Sequence, residues 1–183
     1  KLKAKQMPIS NEEVALFKEN LPFKLTNAQE RTIKEISDDI SLARPMRRLV
    51  QGDVGSGKTV VAAVSMYISA KNDTQSVLLC PTEVLAEQHF KNFSAWFKNS
   101  NIKIELLTGK MPISKRRGIY QDLEHGVIDI LIGTHAVFQD KVKMKNLGLV
   151  VVDEQQRFGV KQRFDLVKKS SDQIMPHQLF MTA

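Results

Sequence analysis

A glycine-rich segment that begins at Gly52 has the residue types and spacing needed to bind phosphate. It reads Gly-Asp-Val-Gly-Ser-Gly-Lys-Thr and matches the pattern GxxxxGK followed by Ser or Thr. Glycines let backbone N–H groups surround a phosphate without Cβ clashes, and the N-terminus of a following helix adds partial positive charge. The predicted nucleotide-binding residues are Gly52, Asp53, Val54, Gly55, Ser56, Gly57, Lys58 and Thr59.

Two residues of this segment have separate chemical roles. Lys58 is expected to reach the β- and γ-phosphates of a nucleoside triphosphate and to act in catalysis, and Thr59 is expected to ligate Mg²⁺. The alternative is a tight glycine-rich turn with an exposed lysine. Because the motif follows a strand candidate and opens a helix candidate, as phosphate binding requires, we favour the nucleotide site.

A pair of carboxylates follows an apolar, β-branched run further along the chain. Asp153 and Glu154 come directly after the run at 147–152. Because ligands of open α/β sheets bind at the carboxyl ends of the strands, we expect both acids beside the phosphate loop. Asp153 would hold Mg²⁺, directly or through water, and Glu154 would orient or deprotonate the attacking water. The alternative is that the two acids cap a following turn. Taken together with the phosphate loop, the acidic pair indicates an ATPase.

The elements that must position these residues are visible as apolar runs that alternate with helical patterns. The strand candidates are 49–51, 76–80, 102–107, 128–132, 147–152 and 179–182. The helix candidates among them are about 58–70, 83–98 and 114–125. Continuous apolar strands that alternate with helices predict a parallel sheet with helices on both faces, which is a doubly wound α/β fold.

The chain divides into an N-terminal lead-in, residues 1–22, and one domain, residues 23–183. Segment 10–13 has the capping-box pattern and opens a short helix, which Pro22 ends. Segment 26–29 offers a second capping box, and isoleucines at helical spacing follow it. The length of 183 residues also fits a single-domain core.

Composition limits the class of protein. Hydrophobic residues make up 42% of the chain, and no apolar stretch reaches the roughly 18 residues of a membrane helix, so no membrane partner is predicted. Cys80 lies in an apolar run and is expected in the core; a single cysteine cannot form an internal disulfide, and the cytoplasm is the expected compartment. The net charge of +7 favours a polyanionic partner, and a basic surface without such a partner is an equal alternative before any motif is considered.

Six segments follow one another in the order of helicase motifs. They lie at 21–29, 51–59, 81–89, 133–136, 153–160 and 181–183. Their residues resemble, in turn, the adenine-reading segment and motifs I, Ia, Ib, II and III of the RecG family of superfamily 2 DNA helicases. The related transcription-repair coupling factors share Arg-Phe-Gly-Val after motif II, whereas Ser56 and Gln155 favour the RecG family.

This resemblance implies a RecA-like P-loop NTPase fold with ATP and Mg²⁺ as ligands. It also implies a motor that remodels branched DNA, such as stalled forks and Holliday junctions, in recombination and repair. Phe23, Thr26 and Gln29 would bind the adenine base. Taken alone, the residues favour a helix cap that Gln29 forms with Thr26, whereas the resemblance favours adenine binding for Gln29. Phe23 would pack on the base, and an apolar staple is a nearly equal alternative.

The same resemblance assigns DNA contacts to residues that follow three of the predicted strands. Small hydroxyls and exposed N–H groups suit phosphate oxygens, although ordinary helix capping is the alternative, especially for Thr82. The predicted DNA-binding residues are Pro81, Thr82, Thr108, Gly109, Lys110, Gly133, Thr134 and His135.

One position departs from the family pattern. Gln156 stands where the family usually has histidine, at a residue expected to link the nucleotide site to motif III and DNA and therefore included among the catalytic residues. Glutamine bridges by hydrogen bonds but cannot become a cation. The change bears on coupling, and not on the binding of ATP or Mg²⁺.

Two other groups of residues have structural alternatives that we favour. The basic run 115–117 is expected on a solvated face rather than on DNA. Phe90, Phe93, Trp96 and Phe97 have helical spacing and are expected in the core rather than in a base-stacking platform.

The resemblance finally implies that the chain is one lobe of a longer protein. Its partners would be forked or branched DNA and, within the parent chain, a second RecA-like lobe and a wedge domain. Alone it would be monomeric. It would also be nearly inactive as an ATPase, because the arginine that the second lobe supplies is missing. The alternatives are the motor lobe of a transcription-repair coupling factor, an ATP-binding switch module without translocation, and a kinase-like phosphotransferase; the ordered motifs argue against the last two.

Overall fold

A computed structural model describes residues 2–52, 56–153 and 174–182 of the chain. Several predicted site residues lie outside the described residues, as does the side chain of Ser56. These residues are Asp53, Val54, Gly55, Glu154 and Gln156.

The described residues form helices and strands that alternate along most of the chain. The helices are α1 (Asn11–Lys18), α2 (Asn27–Ile40), α3 (Ser56–Lys71), α4 (Glu83–Trp96) and α5 (Ile113–Glu124). The strands are β1 (Arg47–Gln51), β2 (Gln75–Leu79), β3 (Ile104–Leu107), β4 (Ile130–Gly133), β5 (Leu147–Val152) and β6 (His177–Thr182). A 3-10 helix, His135–Phe138, follows β4.

The strands pair into one parallel sheet in the order β1-β6-β5-β2-β4-β3. In the register of the central strand β2, Leu79 lies opposite Gly133 of β4 and Val152 of β5. The residues that follow these strands therefore meet at one edge of the sheet, its carboxyl edge. The predicted α/β fold with a parallel sheet is confirmed.

Helices cover both faces of the sheet, as the continuous apolar strands predict. All five residues of β2 are buried, and their side chains alternate between two apolar clusters. Leu78 packs with residues of α1 to α4, whereas Val77 and Leu79 pack with residues of α5 and the 3-10 helix. The core thus lies in two layers, one on each side of the sheet.

Side-chain caps start the first two helices where the sequence predicts them. The Ser10 hydroxyl accepts a hydrogen bond from the Glu13 N–H at 3.2 Å and begins α1. Thr26 and Gln29 form a complete capping box at the start of α2. The isoleucines of α2 are buried against the core, so this helix is held at both its cap and its apolar face.

Two strands begin later than predicted because loop hydrogen bonds hold the residues before them. The Ile102 N–H donates to the Ser100 hydroxyl, and β3 starts at Ile104. The Ile128 N–H donates to the Asp122 carbonyl at the end of α5, and β4 starts at Ile130. The prediction of strands at 102–107 and 128–132 was therefore wrong in its boundaries.

The lead-in packs directly on the domain. Met7 is fully buried, and its N–H donates to the Ile40 carbonyl at 2.8 Å. Val14 and Phe17 of α1 join the same apolar cluster as α2 and α3. The division into a lead-in and a domain stays a prediction.

The aromatic residues of α4 confirm the predicted core role. Phe93 and Phe97 stack with ring centroids 5.7 Å apart, and Phe17 lies 4.7 Å from Phe97. Trp96 is buried, and Phe90 is partly buried against the same cluster. In the part of the chain that the structure describes, no helix is long and apolar enough to cross a membrane.

Candidate functional site

The carboxyl edge of the sheet divides the predicted site residues into two groups. Gly52 follows β1 and Asp153 follows β5, in the half formed by β1, β6 and β5. Thr82, Thr108 and Thr134 follow β2, β3 and β4, in the other half. The sheet order therefore separates the nucleotide candidates from the DNA candidates along a single edge.

The start of α3 has the features of a phosphate site. Its first turn contains Gly57, Lys58 and Thr59 and carries no acidic residue, so its partial positive charge is not offset there. Thr59 is only 7% exposed, and Lys58 is partly buried. A Cβ on Gly52 would lie 3.9 Å from the Lys58 Cγ, so that stem runs beside the residue that follows β1.

The capping box of α2 also faces this loop. The Gln29 Oε1 accepts a hydrogen bond from the Thr26 N–H at 2.8 Å, and the Thr26 hydroxyl accepts one from the Gln29 N–H at 3.1 Å. A Cβ on Gly57 would lie 2.9 Å from the Gln29 Nε2, a separation that real Cβ atoms essentially never show. The cap is thus confirmed, and the same amide lies against the phosphate loop; adenine binding stays a prediction.

Phe23 lines a cavity of about 640 Å³. Its ring stands perpendicular to the Trp96 ring with 6.0 Å between the centroids, and 37% of the residue is exposed. Lys18 and Glu30 line the same cavity and form an ion pair of 2.7 Å. Phe23 is thus packed on one side and open on another, and its contact with a base stays a prediction.

Asp153 lies at the end of β5 with a fixed backbone. Its N–H donates to the Leu79 carbonyl at 2.9 Å, and its carboxylate Oδ2 lies 3.4 Å from the His89 Nε2. The side chains of Asp153 and His89 are 16% and 12% exposed. Asp153 therefore presents a carboxylate at the junction between the two halves of the carboxyl edge.

Thr59 and Asp153 fit a magnesium ion that is bound mainly by phosphates. Among the described residues no group of three or more His, Cys, Asp or Glu side chains could hold a metal. Mg²⁺ in nucleotide sites takes one or two protein oxygens and completes its shell with phosphates and water. A hydroxyl in the first turn of α3 and a carboxylate directly after β5 are oxygen donors of the kind that such an arrangement uses.

Sequence reasoning missed His89 as an individual site residue. The residue appears only as the last letter of motif Ia, and its partner Asp153 is 64 positions away. A signal was present nonetheless, since Ala86 and Phe93, which lie three or four residues from His89, are both buried. A polar residue on the buried face of α4 needs a polar partner.

The DNA half of the edge exposes some of the predicted residues and buries others. Thr82, Gly109, Lys110 and His135 are exposed, whereas Thr108 and Thr134 are 4% and 2% exposed. The side-chain hydroxyls of these two buried threonines therefore do not lie on the surface. Contact between this half and DNA stays a prediction.

Helix capping is confirmed for Thr82. Its hydroxyl accepts a hydrogen bond from the Leu85 N–H at 3.2 Å and begins α4. Next to it, the Lys110 Nζ lies 3.5 Å from the Glu83 carboxylate, which joins the loop after β3 to the first turn of α4. Pro81, which precedes the cap, is partly exposed.

Gly133 is required by close packing at the end of β4. A Cβ there would lie 2.6 Å from the Leu107 carbonyl oxygen and 2.7 Å from the Val137 Cγ2. Backbone and a branched side chain cannot move aside cheaply, so the glycine has a structural reason independent of DNA.

Cys80 behaves as the core residue that the sequence predicts. Burial raises the pKa of its thiol well above its usual range, and the negative charge of Asp153 raises it further. The protonated thiol is a poor nucleophile. On α5, Lys115 and Arg117 are exposed, in keeping with a solvated face.

Comparisons with known proteins identify the family. The DEAD/DEAH box helicase family matches residues 26–183. The ATP-dependent DNA helicase RecG of Aquifex aeolicus (strain VF5) is 50% identical over 165 residues, which cover 90% of this chain and 21% of that protein. RecG of Bacillus subtilis (strain 168) is 48% identical over 174 residues, which cover 95% of this chain and 25% of that protein.

A solved structure gives the same result. The structure of RecG bound to a three-way DNA junction matches with a TM-score of 0.83 and 40% identity, over 98% of this chain and 24% of that one. The chain thus spans about a fifth to a quarter of the length of these relatives. The resemblance to RecG and the RecA-like fold are confirmed, and the family is one of nucleotide-binding proteins. The chain belongs to the DEAD/DEAH box helicase family.

Proposed function

We propose that this chain is the ATP-binding motor lobe of an ATP-dependent DNA helicase that remodels branched DNA, including stalled forks and Holliday junctions, in recombination and repair. The observation that carries the proposal is the division of the carboxyl edge, which has nucleotide candidates after β1 and β5 and DNA candidates after β2, β3 and β4. Similarity to RecG, including one RecG bound to a three-way junction, supports branched DNA as the substrate.

In this proposal each residue of the nucleotide half has one task. Lys58 binds the β- and γ-phosphates, and Thr59 and Asp153 hold Mg²⁺. Glu154 accepts a proton from the attacking water, and Gln156 links this half to motif III and DNA by hydrogen bonds. Mg²⁺-bound ATP supplies a phosphoanhydride bond whose hydrolysis drives the motor. Phe23, Thr26 and Gln29 select the adenine base.

The DNA half contacts the sugar-phosphate backbone without reading bases. The exposed residue Gly109 and the start of α4 offer backbone N–H donors, and Lys110 and His135 are exposed residues whose side chains donate hydrogen bonds. The net charge of +7 adds a general attraction for the polyanion. Binding by this half should therefore be independent of sequence and sensitive to salt.

The remaining parts of the motor belong to the parent protein. A second RecA-like lobe would close the nucleotide cleft and supply an arginine that is worth about 10³ to 10⁵ in rate. A wedge domain would engage the branch point. The chain by itself is expected to be monomeric, and a cytoplasmic location stays a prediction.

Turnover by the full-length protein tests the proposal. Steady-state ATP hydrolysis is measured with a forked duplex, with a linear duplex of the same length and without DNA. We expect forked DNA to raise kcat the most, and Glu154→Gln to lower kcat by about 10² to 10⁴ while ATP still binds. Equal rates in all three conditions would support a switch module without translocation and would overturn the proposal.

A further inference from the structure

His89 lies between the two halves of the candidate site. Its Nε2 is 3.4 Å from the Oδ2 of Asp153, and both side chains are largely buried. A carboxylate only accepts hydrogen bonds, so His89 is the donor through its Nε2–H. The contact links α4, which starts at the DNA half, to the residue at the end of β5.

The rest of the imidazole is unusual for a buried group. The His89 Nδ1 is buried and has no hydrogen-bond partner among the residues that the structure describes. Buried polar atoms are normally paired, and an unpaired one costs stability. The contact with Asp153 explains a histidine at this position better than core packing alone does.

The helix that carries His89 is held firmly. Ala86 and Phe93 are fully buried on its inner face, and Phe93 stacks against the Phe97 ring at 5.7 Å. Thr82 caps the exposed start of the same helix, about 10 Å from His89 along the axis. Because an α-helix is a rigid element over two turns, a shift of the start of α4 would be carried to the imidazole.

We propose that His89 is a positioning residue, which orients the Asp153 carboxylate for Mg²⁺ and couples DNA contact at the start of α4 to binding of the metal–nucleotide complex. The proposal rests on the proposed function, because Asp153 is a magnesium ligand only within it. The Asp153 backbone is fixed by its bond to Leu79, so the imidazole acts on the side chain. Partners of this kind behind a metal ligand typically contribute about 10-fold to 100-fold in metal affinity.

The test measures the Mg²⁺ requirement for nucleotide binding in the full-length protein. A fluorescent ATP analogue is titrated at several Mg²⁺ concentrations and also in EDTA. We expect His89→Ala to raise the half-saturating Mg²⁺ concentration about tenfold and to change the metal-free affinity less than twofold. His89→Gln keeps an N–H donor and should recover part of the loss.

A matched control separates positioning from folding. Gln88→Ala removes a similar side chain from an exposed neighbouring position of α4 and should leave the Mg²⁺ requirement unchanged. Equal losses of metal-free and metal-bound nucleotide in His89→Ala, or an unchanged Mg²⁺ requirement, would overturn the inference.

The DNA arm tests the coupling. In the wild-type protein, saturating forked DNA should lower the half-saturating Mg²⁺ concentration by about fivefold or more, as coupled sites commonly do. In His89→Ala the effect of DNA should fall below twofold. A full DNA effect in His89→Ala would overturn the coupling. If the wild-type protein shows no Mg²⁺-dependent nucleotide binding, the proposed function itself is overturned.

Discussion

The Gln29 amide directs its two polar atoms to different parts of the molecule. Its oxygen accepts a hydrogen bond from the Thr26 backbone, and its nitrogen lies against Gly57 of the phosphate loop. The cap therefore fixes the orientation of the amide beside Gly57. At the scale of the single residue, the capping role of Gln29 is compatible with its proposed role in adenine binding.

Substitutions at Gln29 separate these roles. Gln29→Glu keeps a side-chain acceptor for the Thr26 N–H but has no side-chain donor, whereas Gln29→Ala removes both. We expect both variants to lose a preference for ATP over GTP, because guanine and adenine present reversed donors and acceptors. Only Gln29→Ala should also lose stability, by about 0.3–1.5 kcal/mol.

Competition binding of ATP and GTP, together with thermal melts, checks this prediction. A Gln29→Glu variant that retains the full preference for ATP would contradict a donor role for the amide. Equal affinity of the wild-type chain for the two nucleotides would contradict base selection altogether.

The role of a single residue could be predicted where its motif lies within a few adjacent positions. The loop from Gly52 to Thr59 has its pattern within eight adjacent positions, so the sequence shows it directly. His89 was missed because its partner is 64 positions away. The burial of Thr134 was missed because it depends on how closely the ends of β3 and β4 pack.

At the scale of elements, two glycines in neighbouring elements should respond oppositely to alanine. A Cβ at Gly133 would meet the Leu107 carbonyl at 2.6 Å, whereas a Cβ at Gly118 in α5 would meet nothing within 4 Å. We expect Gly133→Ala to lower the free energy of unfolding by about 1–3 kcal/mol. Gly118→Ala should raise it by about 0.5–1 kcal/mol, since alanine favours helix interiors.

Urea denaturation of both variants beside the wild-type chain measures these changes. An unchanged free energy of unfolding in Gly133→Ala would mean that β3 and the 3-10 helix move aside easily. That result would contradict the tight packing at the end of β4. A loss of stability in Gly118→Ala would contradict the open environment of that position.

His177 joins three elements through a neutral ring. Its Nδ1 accepts a hydrogen bond from the Met46 N–H at 3.0 Å, and its Nε2 donates to the Lys5 carbonyl at 2.7 Å. Burial lowers the pKa of this imidazole, and the hydrogen bond to Lys5 and the charge of Asp39 raise it by less. The lead-in, β1 and β6 thus meet at a histidine whose ring is neutral in the folded state.

This histidine predicts how stability depends on pH. Because the unfolded state binds the proton more readily, its contribution is present above the ordinary pKa of about 6.5 and is lost as the pH falls. The slope from one such group is at most about 1.4 kcal/mol per pH unit. Asp129 acts in the opposite sense near its own titration, since burial raises its pKa.

Urea midpoints between pH 7.5 and pH 5.5 check the sign. The wild-type chain should become less stable as the pH falls, and His177→Gln should show a shallower slope from a lower starting stability. A slope that is unchanged in His177→Gln would assign the pH dependence to other groups.

Element types were more predictable than element ends. The apolar runs and capping boxes predicted all six strands and the caps of α1 and α2, because these signals are local. The starts of β3 and β4 were misplaced, because the N–H groups of Ile102 and Ile128 donate hydrogen bonds to Ser100 and Asp122 and hold the residues before these strands in loops. Such bonds depend on the folded chain.

At the scale of the whole molecule, the order of the strands organises the proposed function. β6 is the last described strand in the chain but lies between β1 and β5, and the boundary between the nucleotide half and the DNA half falls between β5 and β2. Alternating apolar patterns predict a parallel sheet but not this order, which depends on long-range pairing. The strand order was therefore not predicted from the sequence.

A single lobe should bind nucleotide and hydrolyse it slowly. The chain has Lys58, Thr59 and Asp153 in one half of its edge, whereas the arginine that accelerates hydrolysis is expected from a second lobe. Residues 1–183 alone should therefore show Mg-ATP binding without robust DNA-stimulated turnover.

The most direct test of the account is the thermal stability of residues 1–183 with and without Mg-ATP, in the wild type and in Lys58→Ala. A ligand at a hundred times its Kd that binds only the folded state adds about 2.7 kcal/mol, which raises the Tm of a chain of this size by about 5–10 °C. We predict this shift for the wild type and for Lys71→Ala, a control at the exposed other end of α3, and its loss in Lys58→Ala. An equal shift in Lys58→Ala would contradict the assignment of the nucleotide site.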